Sequence, residues 1–353
     1  MGRQLELGLD TFGDVTSGPN GERLPQDQVL RNVVAEAVLA DSVGIDFIGI
    51  GEHHREDFAV SAPDVVLAAI AGQTSRIRLG SAVTVLSSDD PIRVFQRFST
   101  LDAVSNGRAE VILGRGSFTE SFPLFGLDLA QYEDLFEEKL ELFTQLRSEN
   151  PVTWSGGTRA PLQNQRVYPP TASGELPAWI AVGGTPQSVV RAAHYGLPLM
   201  LAIIGGEPAR FAPFVDLYKR ALAQFGRPML PVGAHSPGYV AASDEQALEE
   251  AWPHFERMQN RIGRERGWSP TTHSDYLESA GPDGALFIGS PETVAAKIVR
   301  VATTLELSRF DMKYSLGTLP HENLMNCIRL YGTEVAPLVR EQLAAAASPA
   351  GNS

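Results

Sequence analysis

The stretch FIGIGEHHR, residues 47–55, sets the class of fold. Phe47, Ile48, Gly49 and Ile50 make a short apolar run that stops at Gly51 and passes directly into Glu52, His53, His54 and Arg55. Such a run, bounded by a glycine, fits a buried strand. The next periodic apolar segment begins only after Pro63, so the ionisable residues sit on a loop between the carboxyl end of a strand and a helix. Parallel α/β folds bind their ligands at that end. Neighbouring His53 and His54 diverge on an extended loop, and no His, Cys and carboxylate set at zinc spacing accompanies them, so no metal site is expected. Proton transfer is the chemistry that suits the loop; the plainer alternative is two solvated or hydrogen-bonded surface histidines.

Outward from this loop the chain alternates between strand and helix patterns. Residues 4–11 place Leu5, Leu7 and Leu9 on one face, a first strand, and residues 26–44 carry apolar positions at helical spacing until Gly44. Ser61 and Pro63 open a second helix, residues 77–85 form a third strand, and Asp90 with Pro91 starts a helix as cap and first-turn proline. Residues 110–113 are a fourth strand, residues 132–146 an amphipathic helix, and residues 150–176 an insertion. The alternation resumes with strands at 178–182, 197–204, 230–241 and 310–315 and helices at 186–194, 210–225, 244–265, from Ser290, and at 322–343. Residues 267–287 form a second irregular insertion.

Eight strands alternating with helices in one series predict an α/β protein, a (β/α)8 TIM barrel with insertions after strand 4 and before the last strand. No composition shift divides the chain, so residues 1–343 are expected to be a single domain and residues 344–353 a disordered tail. A net charge of -13 argues against nucleic acid or an anionic membrane as partner. The lone Cys327 forms no intramolecular disulfide, fits a reducing compartment, and falls in a C-terminal helix where packing is its expected role. The first residues carry no secretory signal pattern, and no apolar run approaches the roughly 18 residues that span a bilayer. A soluble cytoplasmic protein is the expectation.

Four segments, GIDFIGIGEHH, IRLGSAVTVLSSDDPIRVFQ, LDAVSNGRAEVILGRGSF and IAVGGTPQSVVRAAHYG, stand in this order across the first 200 residues. Together they resemble the bacterial luciferase-like flavin monooxygenases. The resemblance implies a barrel that binds FMN at the carboxyl ends of its strands, with His53 catalytic and Glu52 beside it as an orienting group. It also implies a non-proline cis peptide at Ala82–Val83 under the flavin ring, and a phosphate held by Arg115, by backbone donors at Gly183 and Gly184, and by the hydroxyls of Ser188 and Ser117. The residues themselves agree in part: a glycine-opened helix start offers free N–H groups to a phosphate, and an arginine adds a forked contact. Taken alone, Arg115 also fits a surface ion pair, Gly183–Gly184 a tight turn, and Ala82–Val83 ordinary strand. Gly114 departs from the light-emitting members, which carry a cysteine there. His235 on the seventh strand can face the cavity, and His321 can cover its mouth.

The resemblance implies a monooxygenase that uses reduced FMN and dioxygen to oxygenate a small organic substrate. No G-x-G-x-x-G follows a strand at dinucleotide-binding spacing, so reduced flavin is expected from a separate reductase. A homodimer or larger homo-oligomer is implied by the same likeness. Two alternatives stay open: a deazaflavin-dependent hydride-transfer oxidoreductase, and a flavin-binding protein without activity.

Overall fold

The computed structural model describes residues 4–18, 20–116 and 118–347. Eight parallel strands close into a barrel: β1 (Glu6–Thr11), β2 (Phe47–Ile50), β3 (Arg78–Ser81), β4 (Ala109–Gly114), β5 (Ala178–Val182), β6 (Leu199–Ala202), β7 (Val232–Val240) and β8 (Arg309–Lys313). Each pairs with the next, and β8 returns to β1 through Gly8 opposite Asp311 and Leu9 opposite Met312. All eight carboxyl ends therefore open on one rim. The expected (β/α)8 barrel is the fold.

Alternation along the strands explains the layers. On β1, Leu7 and Leu9 join the main apolar core between barrel and helices, whereas Gly8 and Asp10, on the opposite face, turn toward the barrel axis. The axis holds its own small cluster of Phe47, Ile112, Trp179 and Met200, with Val83 and Ala181 packed on it and still partly open. Beside this cluster Arg309 is fully buried, with Nε 2.9 Å from both Asp311 oxygens, a second contact to Glu110, and its guanidinium 3.4 Å from the Phe47 ring centroid. Gly8 makes room, since a Cβ there would fall 2.0 Å from Asp311 Oδ1. Losing one partner from such a buried pair costs roughly 3–5 kcal/mol.

The helices follow their sequence signals. Asp90 caps the helix Pro91–Val104 by accepting from the amides of Ile92 (2.9 Å) and Arg93 (3.2 Å). That helix buries Val94, Phe95, Phe98 and Leu101, each worth roughly 1.5–3 kcal/mol by removal from water. Ser290 caps the helix Pro291–Thr304 in the same way through Thr293 N. Cys327 is buried, as its helical position implies.

Four expectations need correction. The third strand is not continuous over 77–85: it breaks at a cis Ala82–Val83 peptide, after which Thr84–Val85 pairs with β4. The insertion at 267–287 is not irregular throughout, because Thr272 and Asp275 form a capping box that starts the helix His273–Ala280. The helix predicted over 322–343 has three parts, His321–Leu330, a π-helical turn Tyr331–Val335, and Ala336–Ala347. Residues 344–347, assigned to a disordered tail, extend that last helix as alanines, the strongest helix formers; residues 348–353 lie outside the described residues. Among the described residues no helix is long and apolar enough to cross a membrane.

Candidate active site

His53 leaves the end of β2 with its backbone N–H bonded to Val60 O (2.9 Å), which fixes the loop, and its ring enters an aromatic box. Phe58 stacks on it at 4.5 Å, while Phe12 and Phe118 meet it edge-on at 4.6 and 5.3 Å. Arg55 closes the box from outside. It lies 4.4 Å over the Phe118 ring and ties Asp57 and Glu120 to Glu265 at the end of the helix Asp244–Arg266. Burial in this box, with Lys313, Arg55 and His54 nearby as further positive or ionisable groups, pushes the His53 imidazole down to about 3. His53 is thus a neutral imidazole at physiological pH, not the group near 6.5 that suits proton exchange in water.

Glu52 does not orient His53. Its carboxylate accepts from Val85 N (3.0 Å) and bonds His54 Nε2 (2.9 Å), so it joins the loop after β2 to the chain beyond the cis peptide. The two histidines diverge, as neighbours on an extended chain must. His54 turns to a separate cavity of about 240 Å³ that Glu52, Thr84, Asp89, Arg97 and Phe125 also line.

Across the rim, small residues leave space. Ala82 and Val83 follow β3, Gly114 ends β4, Ala181 sits on β5 and Ala202 on β6, and the alanines and Val83 are all partly open. Gly114 is tightly faced: a Cβ there would lie 2.7 Å from Val83 Cγ2, so the cis pair fills the room that a cysteine side chain would need. After β5 the chain turns through Gly183 and Gly184, the latter at φ +120°, into the helix Pro186–Tyr195. A Cβ at either glycine would meet nothing within 4 Å, and none of the Gly183, Gly184 and Thr185 amides has a hydrogen-bond partner among the described residues. Ser188 is buried and accepts from Thr185 Oγ1 at 2.7 Å. Arg115, after β4, pairs with Glu133, lies over the Tyr132 ring at 5.2 Å, and has an open side, while Arg191 binds the same Glu133 at 3.3 Å. Ser117 lies outside the described residues. The other predicted positions thus share one rim, with an apolar floor beside an anion-ready turn.

Two residues on that rim carry more than their sequence revealed. His235 on β7 faces the barrel mouth, stacked at 6.2 Å with Phe12, and its Nδ1 lies 2.6 Å from Asp10 Oδ2 on β1. Their separation of 225 positions hid the pairing. His321 does not cover the mouth: it bonds Glu36 at 2.7 Å behind β8. Among the described residues no group of three His, Cys, Asp or Glu side chains could hold a metal ion.

Comparison with known proteins places this geometry. N-acetyl-S-alkylcysteine monooxygenase of Bacillus subtilis (strain 168) is 26% identical over 310 residues, 82% of this chain and 88% of that one. Among solved structures, monooxygenase RslO1 from Streptomyces bottropensis shares the fold with a TM-score of 0.82 at 21% identity, over 94% of this chain and 99% of that one. The oxygenating constituent of 3,6-diketocamphane monooxygenase from Pseudomonas putida, in complex with FMN, gives 0.75 at 18% over 95% and 98%. An F420-dependent secondary alcohol dehydrogenase in complex with an F420-acetone adduct gives 0.73 at 16% over 95% and 99%. A family model described as luciferase-like monooxygenase matches residues 11–305, most of the barrel and all of the loops described above, and the chain belongs to that family.

Proposed function

We propose that the rim binds FMN and that the chain is a flavin-dependent monooxygenase, which uses reduced FMN and dioxygen to oxygenate a small organic substrate. The observation that carries this reading is the turn at Gly183–Gly184, where three amides have no hydrogen-bond partner among the described residues and a Cβ at either glycine would meet open space, on the same rim as Arg115 and the small-residue floor. Backbone amides at a helix start together with one guanidinium suit a phosphate monoester. The apolar floor of Ala82, Val83 and Ala181 suits a flat ring system. Bound reduced FMN supplies the two electrons with which one atom of dioxygen enters the substrate and the other leaves as water. A phosphate at the turn competes with Glu133 for Arg115, and Ser188 supports the helix start from within.

His53 contributes as a neutral imidazole, able to accept at one ring nitrogen and donate at the other. Phe12, Phe58 and Phe118 keep water from it, which strengthens any hydrogen bond it makes to a ligand. Glu52 holds the β2 loop against the cis-peptide segment and so acts as a positioning residue. Supply of reduced flavin by a separate reductase, a dimeric or larger assembly and a cytoplasmic location belong to the same proposal. One other reading has a specific support: the F420-dependent dehydrogenase shares this fold, and a deazaflavin is a tricycle of similar shape.

Reconstitution separates the two. Purified protein is supplied anaerobically with reduced FMN or with reduced F420, and air is then admitted in the presence of organic sulfides, ketones and aldehydes. Oxygen uptake coupled to an oxygenated product with reduced FMN is the expected result. Hydride exchange with F420 and no coupled uptake with FMN overturns the monooxygenase reading, and saturable FMN binding without any turnover replaces it with a non-catalytic flavoprotein.

A further inference from the structure

We infer that His235 and Asp10 form the proton-carrying pair of the barrel mouth, with His235 Nε2 as the atom that exchanges protons with the bound reactants and Asp10 as its positioning residue. The inference rests on the flavin-dependent reading and assigns within it a role that His53 cannot fill.

Three observations carry it. First, the pairing is short and buried: Nδ1 lies 2.6 Å from Asp10 Oδ2, the Asp10 side chain is 1% exposed and the imidazole 12% exposed. A carboxylate on Nδ1 fixes the ring so that the opposite nitrogen carries the exchangeable proton, and His235 Nε2 has no hydrogen-bond partner among the described residues. Second, the other Asp10 oxygen, Oδ1, is buried without a hydrogen-bond partner among the described residues, which leaves His235 as the side-chain donor that the Asp10 carboxylate meets there. Third, the pair sits on the functional rim, with Phe12 against both the His235 and His53 rings. Lys313 is drawn the other way, bound to Asp14 at 2.9 Å and to Ser315.

The charged groups that face His235 come from two strands. Asp10 on β1 and Asp311 on β8 favour the imidazolium, Lys313 on β8 disfavours it, and Ala202 opposite it on β6 carries no charge. Burial works against the imidazolium, but the Asp10 carboxylate more than offsets it, so the imidazole stays protonated to higher pH than usual. His53 has no carboxylate partner and lies on the opposite side of the ordinary value.

The proton balance is simple. When dioxygen is divided between product and water, reduced FMN being the reductant, the oxygen that leaves as water takes a proton from His235 Nε2. The N–H bond breaks, its electron pair stays on Nε2, and the neutral ring keeps Nδ1–H toward Asp10. Solvent returns the proton before the next turnover.

The test uses the full chain labelled with 15N-histidine. Titration by NMR resolves the seven histidines, and the signal lost in His235→Gln identifies residue 235. The wild-type midpoint is expected above about 6.5, and Asp10→Asn is expected to lower it by about 1 unit or more. In turnover of reduced FMN with dioxygen, Asp10→Asn moves the corresponding pH limb by the same amount, and His235→Gln removes it. A midpoint at or below 6.5, a midpoint unmoved in Asp10→Asn, or an unchanged pH profile in His235→Gln overturns the inference. FMN uptake is measured on the same samples by fluorescence quenching. Normal uptake with an unmoved titration defeats this inference alone, whereas no uptake by the wild type defeats the flavin reading.

Discussion

Arg115→Met gives the clearest measure of the phosphate grip. The guanidinium is paired in the free protein with Glu133, whose side chain is 60% exposed, and lies over Tyr132. A hydrogen bond to a charged group contributes about 1.5–3 kcal/mol, and an ion pair exposed at one end is worth about 0–1 kcal/mol. Exchanging the second for the first leaves a net of roughly 1–2 kcal/mol, about a five- to thirtyfold loss of FMN affinity in the variant. Riboflavin, which lacks the phosphate, should lose less than about twofold. Glu133→Gln has the opposite sign, because it frees Arg115 while Arg191 keeps Glu137, and should tighten FMN by up to about fivefold. Its benefit should shrink in the Arg115→Met background. Flavin fluorescence quenching, with calorimetry as a check, reads each Kd. Equal losses for FMN and riboflavin, or no loss for FMN, refute a phosphate contact at Arg115.

Other perturbations test separate parts of the account. Gly114→Cys forces a side chain to within 2.7 Å of Val83 Cγ2 and should cost about 1–3 kcal/mol in thermal melts; Val83→Ala in the same chain should restore most of it, and failure to do so places the strain elsewhere. His53→Gln should lower turnover of reduced FMN by about a hundredfold or more with its pH limbs unmoved, since the native ring is already neutral; a limb that disappears would return proton carriage to His53. Asp41 accepts from the amides of Ser75, Arg76 and Ile77 at 3.1, 3.0 and 2.7 Å, and although burial raises its carboxyl, these bonds hold it below the ordinary aspartate value. Its stabilisation is full above about 3.9 and fades as pH falls through the lower folded value. Asp41→Asn should therefore cost about 1.5–3 kcal/mol at neutral pH, with the two melting curves converging in acid; a constant gap contradicts the charge-based account.

Much of the barrel was legible because each element carries its own local signal. A period-two apolar run found β1 and a short apolar run bounded by a glycine found β2, and Asp90–Pro91 and Ser290–Pro291 marked helix starts whose caps form as expected. The capping box at Thr272 and Asp275 was equally local and was passed over, because a polar, proline-containing stretch reads as loop. The rim positions came from loops that follow strands, so closing the barrel necessarily brought them to one end. Partnerships were not legible. Glu52 chooses Val85 and His54 over His53, and the box around His53 draws Phe12, Phe58 and Phe118 from three separate loops. His235 meets Asp10 only because β7 and β1 both flank β8. Burial and charge at those meetings, not residue type, set the direction in which each imidazole is shifted, His53 down and His235 up.

The central claim is that one flavin lies across this rim, ring on the small-residue floor and phosphate at the glycine turn. A crystal structure of the chain grown with FMN tests it most directly. The account predicts phosphate density within hydrogen-bond distance of the Gly183 and Gly184 amides and Arg115, with the ring against Ala82–Val83 and facing His53. Well-ordered FMN bound away from these residues, or an empty rim at saturating FMN, would contradict it.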